Sequence, residues 1–291
     1  MRTLLFLPLV LITGQALAQR TAEAEMADAN LAFRDGQQDS ALARVDRALQ
    51  LDPALAEAYK LRGDIHQKRK AYDTALEDYN KAEDLDPGDA RLYVSRSALR
   101  ISEGNYKGAI RDCEKAIELD PTEADAFNNR AWALYLMDAG DAALKDAIKA
   151  VRLRPTHAEA MYLSGIIKGE RYNEEEGLAD LDAALQLNPE LPGGAMSMAV
   201  LLYEAQYYEK AVAKFGEVIA QDTTELAAAH YYRGQSYYEL KDKENACVDF
   251  SKAARMGDKD AVFIKKNYCD TDATKIPRKP RKGARKTSIE F

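Results

Sequence analysis

Three histidines, three cysteines and one run of glutamates are the side chains in this 291-residue sequence whose types carry metal, nucleophile or acid–base chemistry. Their spacing argues against each use. His66, His157 and His230 stand far apart, with none of the short Cys/His separations of a metal centre. No glycine-rich phosphate loop and no nucleophile motif occurs. Glu174, Glu175 and Glu176 open a helical stretch, where acidic side chains are favoured by the helix dipole without any catalytic role. The reading is a non-enzyme that needs no metal and no cofactor.

The elements around these residues follow a strict period. Pro53, Pro87, Pro121, Pro155 and Pro189 recur at one constant interval, preceded by Leu-Asp, Leu-Asp, Leu-Asp, Leu-Arg and Leu-Asn. Proline lacks an N–H and biases its predecessor away from the α region, so each marks a helix end. Small residues keep the same step: Ala29, Gly63, Ser97, Ala131, Gly165, Ala199 and Gly234 in one series, and Ala41, Ala75, Ala109, Ala143, Gly177, Ala211 and Ala246 in another. Only the last interval of each series is longer, by a single position. Turn signals such as Gly36, Gly104-Asn105 and Gly140-Asp141 fall between them. Each unit reads as helix, short turn, helix and proline stop, with the small residues at the crossing of the two helices. A third series, from Ala48 through Ala82, Ala116, Ala150, Ala184 and Val218 to Ala253, would face the next unit.

Period, paired small residues and terminal proline together resemble the tetratricopeptide repeat family, whose unit is about 34 residues long. The resemblance covers about residues 22–258 and implies an all-α, right-handed α-solenoid of about seven helix–turn–helix repeats, near 22–55, 56–89, 90–123, 124–157, 158–191, 192–226 and 227–258. Residues 259–269 read as a capping helix, with Ala261, Ile264 and Tyr268 on its apolar side. The chain departs from the family at its first large position, which holds Glu25, Tyr59, Tyr93, Phe127, Met161, Ala195 and His230. Thr223 replaces the proline after the sixth repeat, beside one extra residue, so an irregularity is expected there.

In this family the first helix of each repeat lines a concave face that binds proteins or peptides. At those offsets the early repeats place Asn30, Lys60, Asp64 and Arg91, a polar mixture. The later repeats place Asn128, Asn129, Trp132, Tyr135, Tyr162, Tyr203, Tyr231, Tyr232 and Tyr238. Aromatics are enriched at interfaces, and asparagine can bond an extended backbone through both ends of its amide. These nine residues are the candidate partner-binding site, with Trp132, the only Trp of the chain, as a water-exposed anchor. Packing of individual tyrosines between repeats is the alternative. Some family members grip a C-terminal carboxylate with a Lys/Asn clamp. Here Asp64, Ser95 and Asp125 stand where the clamp needs Asn, Asn and Lys, so the clamp is absent.

The two ends read differently from the array. Arg2, the apolar run Leu4 to Ile12 and Ala16-Leu17-Ala18 form a signal peptide over residues 1–18, too short to span a membrane. Export to a bacterial periplasm is the expectation, with secretion as the alternative. From Asp270 onward Pro277, Pro280 and Gly283 predict disorder. Lys275, Arg278, Lys279, Arg281, Lys282, Arg285 and Lys286 give residues 270–291 a net charge of +4, and Arg2 gives the leader +1. Within a total of −7 the remaining residues 19–269 therefore hold −12. An acidic array with a basic tail has no general attraction for nucleic acid, and the tail's basic stretch has no aromatic to stack on bases. The second reading of function is a binder of anionic surfaces through this tail, with the solenoid as a spacer.

Three cysteines exclude a disulfide-stapled small fold. Cys113 sits at a packing position and is expected to be a free, buried thiol. Cys247 starts the second helix of the last repeat and Cys269 ends the cap. Antiparallel packing brings them near each other, but simple register counting leaves them about one turn out of line, so a bridge and two free thiols both stay open.

Overall fold

Fifteen α-helices and no strand make up the described residues, 21–221 and 225–277, of the computed structural model. They are α1 (Ala22–Arg34), α2 (Gln38–Leu51), α3 (Ala56–Lys68), α4 (Tyr72–Leu85), α5 (Ala90–Ser102), α6 (Tyr106–Leu119), α7 (Ala124–Leu136) and α8 (Gly140–Leu153). There follow α9 (Ala158–Arg171), α10 (Glu174–Leu187), α11 (Gly194–Glu204), α12 (Tyr208–Ala220), α13 (Leu226–Glu239), α14 (Lys243–Arg255) and α15 (Lys259–Ile264). Odd and even helices pair as hairpins, so the fold is an all-α solenoid of helix–turn–helix repeats. The chain divides into two compact units between Leu92 and Tyr93. The leader at 1–18 and Thr223 lie outside the described residues.

The repeat joints follow directly from the Leu-Asp-Pro sequence. The residue ahead of each proline is extended and caps its helix: Asp52, Asp86, Asp120, Arg154 and Asn188. Where that residue is Asp or Asn, its Oδ1 accepts a backbone N–H two residues on, from Ala54, Gly88, Thr122 and Glu190 at 2.8–3.1 Å. This local turn replaces the helix ladder that proline interrupts.

Six of the seven hairpin turns use one left-handed residue, at Gly36, Lys70, Gly104, Asp138, Gln206 and Lys241, while the α9–α10 turn passes through Tyr172 and Asn173 at negative φ. Only two of the six are glycine, so the others accept a modest backbone strain. The expected turn at Gly140-Asp141 is displaced: Asp138 takes the left-handed conformation and Gly140 is already helical. A side chain at Gly140 would collide with the Arg171 guanidinium.

Both small-residue series lie at helix crossings. Ala29, Ala41, Ala75, Ala109, Ala131, Ala143, Ala199, Ala211 and Ala246 are fully buried. The tightest crossing joins α9 to α10, where a Cβ on Gly177 would lie 2.6 Å from the Gly169 nitrogen and 2.7 Å from the Gly165 oxygen. The third series is also buried, from Ala48 to Ala253.

A second periodic device ties the hairpins together. Arg62–Asp78, Arg96–Asp112, Arg130–Asp146 and Arg233–Asp249 join first helix to second at 2.6–2.9 Å, always at the same separation along the chain. In the first repeat the signs are reversed, as Asp28–Arg44 at 3.8 Å. In the fifth, the Ser164 hydroxyl donates to Asp180 at 2.7 Å. The sixth repeat has Met198 and Lys214 instead, and Lys214 turns to Glu217. Arg62, Arg96 and Arg130 also lie over the rings of Tyr59, Tyr93 and Phe127 at 5.3–5.5 Å. Two departures at the family's large position join this device: buried Glu25 binds Arg44 at 2.9 Å, and His230 Nδ1 lies 2.7 Å from Asp249.

At the C-terminal end, α15 runs into a π-helical turn, Lys265–Cys269, and buries Ala261, Ile264 and Tyr268. The wider turn rotates Cys269 relative to a regular helix. Cys247 and Cys269 are bonded, with Cα atoms 5.4 Å apart, which the counting of α-helical register had set out of line. Residues 270–277, expected to be disordered, instead run along the last repeat. Lys243 donates to the Thr271 and Ala273 carbonyls at 3.0 and 2.9 Å, and Ile276 packs on the cap. Cys113 is a free thiol, buried completely. No helix among the described residues is long and apolar enough to cross a membrane.

Candidate functional site

The first helices α7, α9, α11 and α13 carry the aromatic series, and their packing sorts it into three groups. Tyr135, Tyr162 and Tyr232 line a cavity of about 380 Å³. Its walls are completed by Ile166, Met196, Val200 and Leu201, with Ser197 and Gly193 beside them. The Tyr162 and Ser197 hydroxyls are hydrogen-bonded at 2.9 Å. Gly193 is left-handed and caps α11, and a Cβ there would lie 3.3 Å from the Tyr162 hydroxyl. Tyr203 stands next to this group, with its ring 5.8 Å from that of Tyr232.

Trp132 is not the exposed anchor expected of it. Its indole is only 8% exposed and packs against Tyr135 and Tyr162, at 6.0 and 6.1 Å between ring centroids. The physical reason is the stacking of successive first helices: α9 covers a face of α7 that an isolated hairpin leaves open. Asn128 is likewise buried, and its Oδ1 has no hydrogen-bond partner. Asn129 donates to the Val94 carbonyl and the Ser97 hydroxyl at 3.2 and 3.0 Å, which makes it a tie to the preceding repeat. Tyr238 packs on Tyr268 of the C-terminal cap, and Tyr231 on Phe250 of α14 and on Tyr232. The structure therefore brings together three of the nine residues, with Tyr203 and Trp132 as their support.

Four acidic residues also line the cavity: Asp138, Glu170, Glu204 and Glu225. Among the described residues its one cation is Arg171, which is paired with Asp138 at 2.8 Å. The Tyr135 hydroxyl donates to both oxygens of Glu170 at 3.0 and 3.1 Å. Glu170 and Glu204 keep one side open to solvent, yet partial enclosure pushes both carboxyl groups above the ordinary carboxylate range. Burial raises the Tyr135, Tyr162 and Tyr203 phenols, so these hydroxyls stay protonated.

Sequence reasoning had passed over the carboxylates, although a signal was present. Glu170, Glu204 and Glu239 keep the repeat register of the small residues, at the C-terminal end of α9, α11 and α13. The same register holds Arg34 and Lys68 in the first two repeats. A cation there complements the helix dipole and an anion opposes it.

The histidines do not converge. His66 Nε2 lies 3.9 Å from Asp78, and His230 belongs to the last interhelical ion pair. The His157 nitrogens lie 3.1 and 3.2 Å from Asp125 and Glu159. With Arg154 this histidine holds the Asp125 carboxyl well below the usual range. No group of side chains suited to a metal ion occurs among the described residues. Of the basic tail, Lys275 is described and exposed, while Arg278, Lys279, Arg281, Lys282, Arg285 and Lys286 lie outside the described residues.

Comparisons agree with this geometry. Models of the tetratricopeptide repeat match residues 56–89, 90–123, 113–145 and 196–261, together more than half of the chain. No significant match to a curated protein sequence is found. Among solved structures, a tetratricopeptide repeat protein of Parabacteroides merdae is 20% identical with a TM-score of 0.57, over 83% of this chain and 95% of that one. PilF of Pseudomonas aeruginosa is 22% identical with a TM-score of 0.62, over 72% and 94%. PilW, a type IV pilus biogenesis factor, is 17% identical with a TM-score of 0.64, over 72% and 99%. At these identities the likeness is one of fold.

Proposed function

The chain belongs to the tetratricopeptide repeat family, and from that premise we propose that it is a non-enzymatic scaffold of the cell envelope. Its partner is a protein or peptide that lays an extended segment into the cavity between α7, α9, α11 and α13. The cavity carries this reading. About 380 Å³ is room for one or two side chains, and it pairs an apolar wall with a few polar groups, as binding sites do. The envelope location rests on the leader-like residues 1–18.

Site-specific photocrosslinking tests the proposal. A crosslinking residue at Val200, on the cavity wall, is expected to capture a discrete partner in intact cells. The same residue at Asp182, exposed on α10, is expected to capture none. Equal capture at both positions, or none at Val200, would overturn the assignment of the site.

A further inference from the structure

We infer that the cavity selects a cationic side chain, an arginine or lysine of the bound segment, and holds it between the tyrosine rings and the carboxylates of Glu170 and Glu204. This rests on the proposed peptide-binding reading and specifies its occupant. Three observations carry it.

The first is the pairing state of the carboxylates. In the hairpins the interhelical aspartates are satisfied by arginines, serine or histidine. Glu204 differs: among the described residues it has neither a hydrogen bond nor an ion pair. Glu170 accepts hydrogen bonds only from the Tyr135 hydroxyl, a neutral donor, and feels the Arg171 charge without an ion pair to it. The one arginine of the lining is already engaged by Asp138. Among the described residues, Glu170 and Glu204 thus bring negative charge to the cavity with no ion pair to either.

The second is placement against helix energetics. Glu170 lies in the last turn of α9 and Glu204 is the last residue of α11. The C-terminal end of a helix carries partial negative charge, so a carboxylate there opposes folding. Arg34 and Lys68 hold this register in the first two repeats and show the sign that stability alone favours. The helix dipole therefore does not account for the glutamates, whereas a cationic ligand does.

The third is the aromatic wall. Tyr135, Tyr162 and Tyr232 line the same cavity, and the face of a tyrosine ring attracts an ammonium or guanidinium group. Rings and carboxylates lining one cavity match the long apolar stem and charged head of arginine or lysine.

A synthetic peptide of residues 275–291 is a suitable probe, because it presents several Lys and Arg side chains in a proline-containing sequence. Trp132 touches Tyr135 and Tyr162 from behind, so its emission reports occupancy. The full chain is titrated with this peptide and with a version in which every Lys and Arg is Gln. Saturable binding of the basic peptide, at least tenfold tighter than of the neutral one, is expected. The double variant Glu170→Gln, Glu204→Gln should weaken it at least tenfold. A double variant of exposed carboxylates elsewhere, Glu190→Gln with Glu209→Gln, should stay within twofold. No binding, equal binding of the two peptides, or equal losses in the two variants overturns the inference. If Val200 still captures a partner in cells while the basic peptide fails, the scaffold reading stands and only the cationic occupant is lost.

Discussion

Arg96 and Asp112 face each other across the two helices of one repeat. The guanidinium donates at 3.1 and 2.9 Å to the two carboxylate oxygens, with both side chains about 5% exposed. Arg100 adds a contact to the same carboxylate at 2.6 Å. The pair recurs at the equivalent place in other repeats, but here it is the most enclosed of the series. Replacing Asp112 by Ala leaves two arginines against a hairpin core without their anion. Removal of one partner of a buried pair costs roughly 3–5 kcal/mol. Urea unfolding should show a loss of that order for Asp112→Ala; an unchanged midpoint would mean that the pair is solvated and contributes little.

Trp132 behaves as a packing residue. Truncation to Ala removes a buried indole from the largest core cluster and should cost about 3–5 kcal/mol. The free native protein should already show the blue-shifted emission of an enclosed indole, with a red shift on unfolding. Emission at the wavelength of a water-exposed indole in the native protein would restore the groove-anchor reading.

The α9–α10 crossing tolerates no methyl group. A Cβ at Gly177 meets backbone atoms of Gly169 and Gly165, which cannot rotate away as a side chain can. Gly177→Ala should therefore lose about 1–3 kcal/mol despite its better helix propensity. Thermal melting decides between the two effects, because propensity alone forecasts a gain.

The cysteines separate cleanly by reactivity. Burial pushes the Cys113 thiol up to about 12, and Cys247 is bonded to Cys269. The native, non-reduced chain should resist alkylation at neutral pH, and the unfolded, non-reduced chain should take up one label. The raised thiol also sets a sign. Between the ordinary thiol range and about 12 the unfolded state loses this proton while the folded state keeps it, so stability falls as pH rises through that window. Cys113→Ser should flatten that part of the profile. Two further labels on the unfolded, non-reduced chain would show that the Cys247–Cys269 bond is absent.

The repeat architecture was legible from residue types and spacing because its causes are local. Proline stops a helix wherever it stands, an Asp before it closes a turn with its own side chain, and small residues mark where two neighbouring helices cross. The interhelical pairs were equally periodic, visible as Arg and Asp at one fixed separation within successive repeats. The site was not legible in the same way. Whether Trp132, Asn128 or Tyr162 meets water depends on how the next repeat's first helix covers it, and that is a property of stacking between hairpins. The bond between Cys247 and Cys269 depended on a single π-helical turn that no period announces. Sequence alone determined which side chains share a helix face. Tertiary packing decided which of those faces closed into core and which stayed open as a cavity, because burial is set by the neighbour's shape and not by the residue's own position in its helix.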